Sequence, residues 1–173
     1  MLDELPIRQT EHFGRPLRDH LLGTYKLLEH WGSSRDVCVA GLFHSVYGTK
    51  TFQTSILVIS ERRRMQELIG NYAESLIYFF CMGDRKRLLL ENKGMPYFWV
   101  NHLSGEMREI PRETLSDLAE IEAANYIEQL PFGTVKSQAV FDDMSHRFDT
   151  AGNFMSWHRS AILMSHKRTA NHL

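Results

Sequence analysis

Residues 15–49, RPLRDHLLGTYKLLEHWGSSRDVCVAGLFHSVYGT, contain two helical patterns separated by a tight turn. Apolar residues recur at helical spacing over about 16–31, which predicts an amphipathic first helix. Gly32-Ser33-Ser34 ends that helix, and the Ser34 hydroxyl is a suitable N-cap for a second helix over about 35–46. The second helix carries the uncharged run VCVAGLF, so we expect it at the centre of the fold.

Each of these two helices carries one histidine, His20 on the first and His44 on the second. Small residues accompany both, since Gly23 follows His20 by three positions and Ala40-Gly41 precede His44 by about one turn. A glycine inside a helix costs roughly 1 kcal/mol relative to alanine, so Gly23 indicates either room for a close backbone approach or a ligand, or a tolerated helical glycine. Two imidazoles delivered from neighbouring helices predict the beginning of a metal site.

The rest of the chain predicts more helices and one β-hairpin. Residues 54–59 fit a strand or a helix, and residues 60–82 predict two helices interrupted near Gly70-Asn71. Two short aromatic and apolar segments, 97–100 and 107–110, predict a hairpin inserted at about 95–110 with its turn at Ser104-Gly105. We therefore expect an all-α domain with a small β-hairpin insertion.

A long helix is expected after the hairpin, from about Thr114 to Gln129. Its apolar stripe should face inward, while Glu122, Glu128 and Gln129 should face water. Residues from about 135 to 170 predict a helical C-terminal extension, whose aromatic side chains offer a surface for a homodimer. The chain of 173 residues suits a single domain over 1–173.

Composition excludes several classes of function. A formal net charge of -1 gives no electrostatic case for a nucleic-acid partner. The two cysteines form neither a CxxC motif nor a disulfide framework. The N-terminus lacks the apolar segment of a secretory signal, and no apolar run is long enough to cross a bilayer, so we expect a cytoplasmic protein without a membrane partner.

The histidine-bearing stretch resembles the start of an HD-superfamily domain, and more closely the stringent-response guanosine tetraphosphate hydrolases. Those enzymes share a first histidine on one helix, a His-Asp pair late in the next, and a later helix with an FG-x-x-V-A-x-L pattern. The corresponding pieces here are His20, His44-Ser45 in AGLFHSVYGT, and IGNYAESL at 69–76. The sequence HS-x-YGT also resembles an uncharacterised HD-like family with serine in place of the aspartate.

The resemblance implies an HD-like helical bundle that holds a divalent metal ion, Mn or Fe. His20 and His44 correspond to the first two ligands, and a carboxylate on a later helix corresponds to the last. Asp117 matches that carboxylate by motif, with Glu120 as the alternative. In the superfamily the ion lowers the pKa of bound water and polarises a phosphoryl oxygen.

Two positions depart from the superfamily pattern. Ser45 stands where the superfamily has its aspartate ligand, and Gly48-Thr49 replace an acidic pair that helps to activate water. Ser45 and Thr49 therefore occupy the catalytic positions with altered chemistry. Ser45 would leave a coordination position open to substrate, water or dioxygen.

These features predict a divergent metal-dependent enzyme that acts on a small anionic molecule, most simply by hydrolysing a phosphate-type ester. Arg15 and Arg18 precede His20 and are candidates to receive the anion, and Tyr47 is a candidate to stack on or hydrogen-bond the substrate.

Two alternatives remain open at this stage. One is a non-haem iron oxygenase on the same scaffold. The other is a metal-free relic that binds a ligand or a partner, with its old site filled by hydrogen bonds to Ser45 and Tyr47. His102, in the predicted hairpin, is a further candidate as a lid over the site.

Overall fold

The fold is described from a computed structural model, over residues 11–12, 14–129, 132 and 146. This part of the chain is mostly helical and includes two small antiparallel sheets, as predicted for an all-α protein with a hairpin. The helices are α1 Leu17–His30, α2 Arg35–Phe43, α3 Arg62–Ile69, α4 Asn71–Met82, α5 Arg85–Glu91 and α6 Arg112–Gln129, with a short 3-10 turn at Ile59–Glu61. The strands are β1 Glu11–His12, β2 Arg15–Pro16, β3 Tyr97–Val100 and β4 Met107–Ile110.

The turn between α1 and α2 forms as its sequence predicts. Gly32 adopts a positive φ of 71°, and the Ser34 hydroxyl accepts a hydrogen bond from the backbone N–H of Val37 at 3.3 Å. A Cβ added to Gly41 would collide with the side chain of Leu28, so the absence of a side chain lets the two helices pack closely. Helix α2 therefore packs closely against α1 at Gly41 and Leu28.

The core forms around α2, which packs against α1, α4 and α6. Its residues Val37, Ala40 and Phe43 are all at most 1% exposed, which confirms the central position predicted from its uncharged sequence. The helix ends at Phe43, earlier than predicted, because the next residues form turns in which Val46 and Gly48 donate to the carbonyls of Phe43 and Ser45.

The predicted hairpin is confirmed, with both strands and the turn at the expected residues. Strands β3 and β4 pair antiparallel with Trp99 opposite Arg108, and Gly105 in the turn has a φ of 73°. Trp99 is fully buried, and its indole N–H donates to the carbonyl of Phe79 at 2.8 Å. The hairpin is therefore fastened to the C-terminal end of α4.

Three short elements differ from the sequence-based expectation. The pair β1–β2 and helix α5 were not predicted, and α5 begins where the Asp84 carboxylate accepts from the N–H of Arg87. Residues 54–58, which fitted a strand or a helix, form neither. These elements span only a few residues each, so periodicity gives little signal for them.

Helix α6 corrects the expected exposure of its acidic residues. Glu122 is 3% exposed and forms an ion pair with Arg85 at 2.9 Å, so it does not face water. The side chain of Glu128 is only 9% exposed and also pairs inside the fold. Gln129 is half-buried and donates to the carbonyl of Asn125 at 2.8 Å.

The expected C-terminal extension at about 135–170 lies outside the described residues, except for the exposed His146. Among the described helices, none combines the length and the apolar character that a bilayer crossing requires.

Candidate functional site

The structure brings His20 and His44 into direct contact. His20 comes from the first turn of α1, and His44 follows α2 immediately. Their Nε2 atoms lie 3.2 Å apart, and the ring centroids are 5.0 Å apart with the rings nearly perpendicular. Both side chains are buried, with 0% of His20 and 2% of His44 exposed. The two imidazoles thus meet as the sequence pattern predicted.

The His44 ring is held by its own helix. Its Nδ1 lies 2.7 Å from the carbonyl of Gly41, and because a carbonyl only accepts, Nδ1 carries the proton. The ring packs edge-on against Phe80, and the backbone carbonyl of His44 accepts from the Cys81 thiol. Burial raises the pKa of this thiol to about 12, so it stays protonated and can donate.

The His20 ring is held by a carboxylate from the far end of the fold. Its Nδ1 lies 2.5 Å from Oε2 of Glu128, which is in the last turn of α6. The other carboxylate oxygen, Oε1, accepts from the guanidinium of Arg15. That guanidinium also lies over the ring of Phe132, 3.9 Å from its centroid. Arg15, Glu128 and the two histidines therefore form one connected chain.

Gly23 makes room for this carboxylate. A Cβ added at Gly23 would approach Cγ and Cδ of Glu128 to 2.8 Å, closer than real contacts allow. Gly23 therefore does leave room beside His20, but a side chain fills it and not the backbone or ligand that the sequence suggested. The sequence did not identify Glu128 as a site residue. Gly23 beside His20 indicates that another group fills this space, but it does not indicate which group.

Both rings thus present Nε2 to each other while Nδ1 is engaged. If both rings are neutral, two nitrogen lone pairs face one another at 3.2 Å, which is unfavourable unless a cation lies between or beside them. A proton shared by the two nitrogens or a metal ion bound to both would serve as such a cation.

A metal ion fits this separation. Two imidazole nitrogens that bind one ion at about 2.0–2.1 Å with near-tetrahedral or right angles are about 2.9–3.4 Å apart. Nε2 of His20 and Nε2 of His44, at 3.2 Å, could therefore occupy two coordination positions of one ion. Within the residues that the structure describes, no group of three or more His, Cys, Asp or Glu side chains is arranged to hold a metal ion.

The two carboxylates expected as the last ligand lie elsewhere. Asp117 accepts from the Tyr72 hydroxyl at 2.7 Å, and Glu120 accepts from the Ser33 hydroxyl at 3.1 Å. Asp117 and Glu128 are on the same helix but about three turns, or about 16 Å, apart along its axis. The later helix does supply a carboxylate to His20, but the structure brings Glu128 there and not Asp117.

The candidate substrate-binding residues have other partners. Arg15 is occupied by Glu128, as described above. Arg18 is half-buried, and because it lies two residues from His20 on α1 the two side chains point in different directions. The Tyr47 hydroxyl is buried and donates to Glu74 at 3.2 Å, in a separate cluster with Arg62. Burial raises the pKa of Tyr47 above its usual value, which keeps it a neutral donor.

The two candidate catalytic residues differ in their surroundings. Thr49 is buried, and its hydroxyl accepts from the N–H of Phe52 at 3.0 Å, which closes the turn that follows His44. Ser45 is 2% exposed, and within the described residues its hydroxyl oxygen makes no hydrogen bond. The hydrogen bonds to Ser45 and Tyr47 expected of a metal-free site are therefore not those that the structure forms.

His102 is fixed to the end of α4. Its backbone N–H donates to the carbonyl of Met82 at 2.9 Å, and burial lowers the pKa of its half-buried ring. This anchoring places it in the framework of the hairpin.

Comparison with known proteins gives one match. Residues 1–85 are similar to a family described as a domain of unknown function (DUF6817). The matched segment contains His20, His44 and Ser45, and it ends before Glu128. No curated protein and no solved structure matches the chain.

Proposed function

We propose that this chain is an HD-like domain that binds a divalent metal ion through Nε2 of His20 and of His44, and that it hydrolyses a small anionic molecule of the phosphate-ester class. The observation that supports the proposal is the 3.2 Å separation of the two Nε2 atoms, with each Nδ1 held by an acceptor. Each ring is thereby oriented as a metal-binding imidazole with a fixed second hydrogen bond.

The charges around the pair favour an anionic substrate. Glu128 is neutralised by Arg15, and both imidazoles are neutral when they bind an ion. A divalent ion held there would keep most of its charge available to attract an anion, polarise a phosphoryl oxygen and lower the pKa of bound water. Phe80, packed against His44, limits the access of water from that side.

The donor atoms also bear on the choice of metal. Imidazole nitrogens suit iron, nickel, copper and zinc, and affinity for nitrogen donors rises from Mn²⁺ to Fe²⁺ and beyond. Of the two ions implied by the resemblance, we therefore propose iron rather than manganese as the better occupant.

A second candidate function rests on the same distance. A separation of 3.2 Å is also that of a hydrogen bond between two nitrogens. In that case the two rings share one proton, no metal binds, and the domain serves to bind a ligand or a partner.

Metal content separates the two candidates. We expect protein purified without oxygen, and then supplied with Fe²⁺ or Co²⁺, to retain about one ion per chain by elemental analysis. The substitutions His20→Ala and His44→Ala should each abolish retention. The matched control is His30→Ala, an exposed histidine on the same α1, which should retain the ion. No retention by the wild-type protein would reject the metal-dependent function and favour the shared proton.

Hydrolysis is tested separately on the loaded protein. Release of phosphate or pyrophosphate from guanosine tetraphosphate and from p-nitrophenyl phosphate should depend on the ion and on His44. If the protein retains the ion but releases neither product, the metal site is supported and the proposed hydrolase activity is rejected.

A further inference from the structure

Glu128 contacts His20 at the nitrogen that faces away from His44. The distance from Oε2 to Nδ1 is 2.5 Å, and the imidazole is fully buried. A carboxylate on one ring nitrogen requires a proton there, and in a neutral ring this leaves the opposite nitrogen as the acceptor or metal ligand. The contact therefore decides which nitrogen His20 presents to His44.

Arg15 and Gly23 fix the carboxylate that makes this contact. The guanidinium of Arg15 binds the second oxygen of Glu128, its side chain is only 14% exposed, and it is covered by Phe132. On the other side, the absent side chain of Gly23 leaves the space that Glu128 fills. A long and flexible side chain is thus confined between α1 and the strand that precedes it.

We infer that Glu128 is a positioning residue for His20, that Arg15 holds it in place, and that together they direct Nε2 of His20 toward Nε2 of His44. The inference rests on the proposed function in one respect only, namely that the directed nitrogen binds a metal ion. Neither Glu128 nor Arg15 is a ligand in this arrangement, because Glu128 occupies the Nδ1 side of the ring.

A purely structural role would give a different result. Arg15 and Glu128 also tie the start of α1 to the end of α6, and such a tie would affect stability without choosing the ring nitrogen that carries the proton. The position of the proton on His20 therefore distinguishes positioning from simple attachment.

The test uses the full chain with two substitutions at Glu128. Glu128→Leu has a similar volume but no acceptor, whereas Glu128→Gln keeps an acceptor oxygen for Nδ1. Glu29→Leu is the control, because Glu29 is an exposed carboxylate on α1 that accepts from the Tyr25 hydroxyl at 3.2 Å. Correlated ¹H–¹⁵N spectra of the histidine rings, recorded without metal, report where the proton lies.

We expect a proton on Nδ1 of His20 in the wild type, in Glu128→Gln and in the control, and its loss or transfer to Nε2 in Glu128→Leu. Calorimetric titration with Co²⁺ should show affinity reduced about tenfold to a hundredfold in Glu128→Leu, and unchanged in the control. Arg15→Leu should reduce affinity by less, since the carboxylate remains.

The outcomes separate this inference from the proposed function. If the wild-type protein binds no Co²⁺ but carries a proton on Nδ1 of His20, and Glu128→Leu loses that proton, the positioning role is supported and the metal site is rejected. A Glu128→Leu protein with the proton and the affinity of the wild type overturns the positioning role alone. If circular dichroism shows that Glu128→Leu does not fold, the wild-type spectrum still decides, because a His20 ring protonated only at Nε2 overturns the inference.

Discussion

Gly23 and His20 share one face of α1, because residues three apart on a helix lie above one another. The carboxylate of Glu128 reaches His20 across this face, and it passes through the volume that any other residue at position 23 would occupy. Gly23 thereby contributes to the site by leaving space for the Glu128 side chain, although it provides no functional group of its own. Its effect on stability should depend on which side chain stands at position 128.

We predict that Gly23→Ala changes sign with its background. In the wild type the added methyl group displaces Glu128 from His20 and Arg15, so we expect a loss of roughly 1–3 kcal/mol, as for overpacking. In a Glu128→Ala background the space is vacant, and alanine should stabilise the helix by about 1 kcal/mol. Urea unfolding of the four proteins measures this coupling. Equal effects in both backgrounds would mean that Gly23 does not accommodate Glu128.

A second prediction at this scale concerns His102 and pH. Burial lowers the pKa of His102 most, and the charges of Lys50 and Arg85 add to this, against Asp84 and the Cys81 carbonyl. Because this pKa is lower in the folded state, the unfolded chain binds a proton more readily at this position. The contribution of His102 to stability is therefore present above the unfolded pKa of about 6.5 and declines as the pH falls through that value.

We therefore expect the free energy of unfolding to fall less steeply between about pH 7.5 and about pH 5.5 in His102→Gln than in the wild type. Urea unfolding at a series of pH values provides the measurement. His30→Gln, at an exposed position, is the control and should keep the wild-type slope. Identical slopes in all three proteins would contradict a lowered pKa of the half-buried His102 ring in the folded state.

At the scale of elements, Glu74 joins α3 to α4 and to the turn after α2. This fully buried carboxylate accepts from Arg62 Nε at 2.6 Å and Nη2 at 2.8 Å, from Gln66 at 3.0 Å and from Tyr47 at 3.2 Å. Four donors satisfy both oxygens, so the buried charge is well compensated. The cluster fixes the loop that carries Tyr47 and hence the end of the helix before His44.

We predict that Glu74→Leu lowers the free energy of unfolding by about 2–3 kcal/mol, since it leaves the four donor groups without their acceptor, although Arg62 is partly able to regain water. The matched control is Glu67→Leu, which breaks the exposed pair with Arg63 and should change stability by less than about 0.5 kcal/mol. Thermal or urea unfolding compares the two. Similar losses from both substitutions would contradict the distinction between buried and exposed pairs.

The helices that could be predicted are those with strong local signals. The Gly32-to-Ser34 turn, the apolar run of α2 and the Gly70 break each depend on residues close in sequence, and the structure has all three. Helix α5 has only seven residues, and the strands β1 and β2 have two each, so they depend mainly on tertiary contacts. Their formation could not be read from periodicity.

The site was predictable only in part, for the same reason. His20 lies on α1 and His44 directly follows α2, and the two helices are joined by a short turn, so the approach of the histidines follows from local structure. Glu128 reaches His20 from more than a hundred positions away, with a sequence pattern typical of a solvated helix end. A single sequence does not specify which residue of a long helix meets a given partner, and this is why Glu128 was expected to face water.

At the scale of the whole molecule, the candidate site joins the two ends of the described fold. Arg15 precedes α1, Glu128 ends α6, and the histidines lie between these helices and α2. The pair can hold an ion in the proposed geometry only when α1, α2 and α6 are packed together. Binding should therefore be linked to global folding and not to a local segment.

Metal ions should accordingly stabilise the fold as a whole. At a free Co²⁺ concentration of about a hundred times Kd, binding to the folded state alone raises the free energy of unfolding by about 2.7 kcal/mol. We expect this increase in the wild type and in His30→Ala, because the unfolded chain keeps its histidines but not their arrangement and so does not bind the ion. We expect no increase in His44→Ala, because the substitution removes one of the two ligands. Chemical unfolding followed by circular dichroism, with and without the ion, measures it. An equal increase in His44→Ala would place the bound ion elsewhere on the molecule, whereas the absence of any increase in the wild type would agree with a proton shared by His20 and His44.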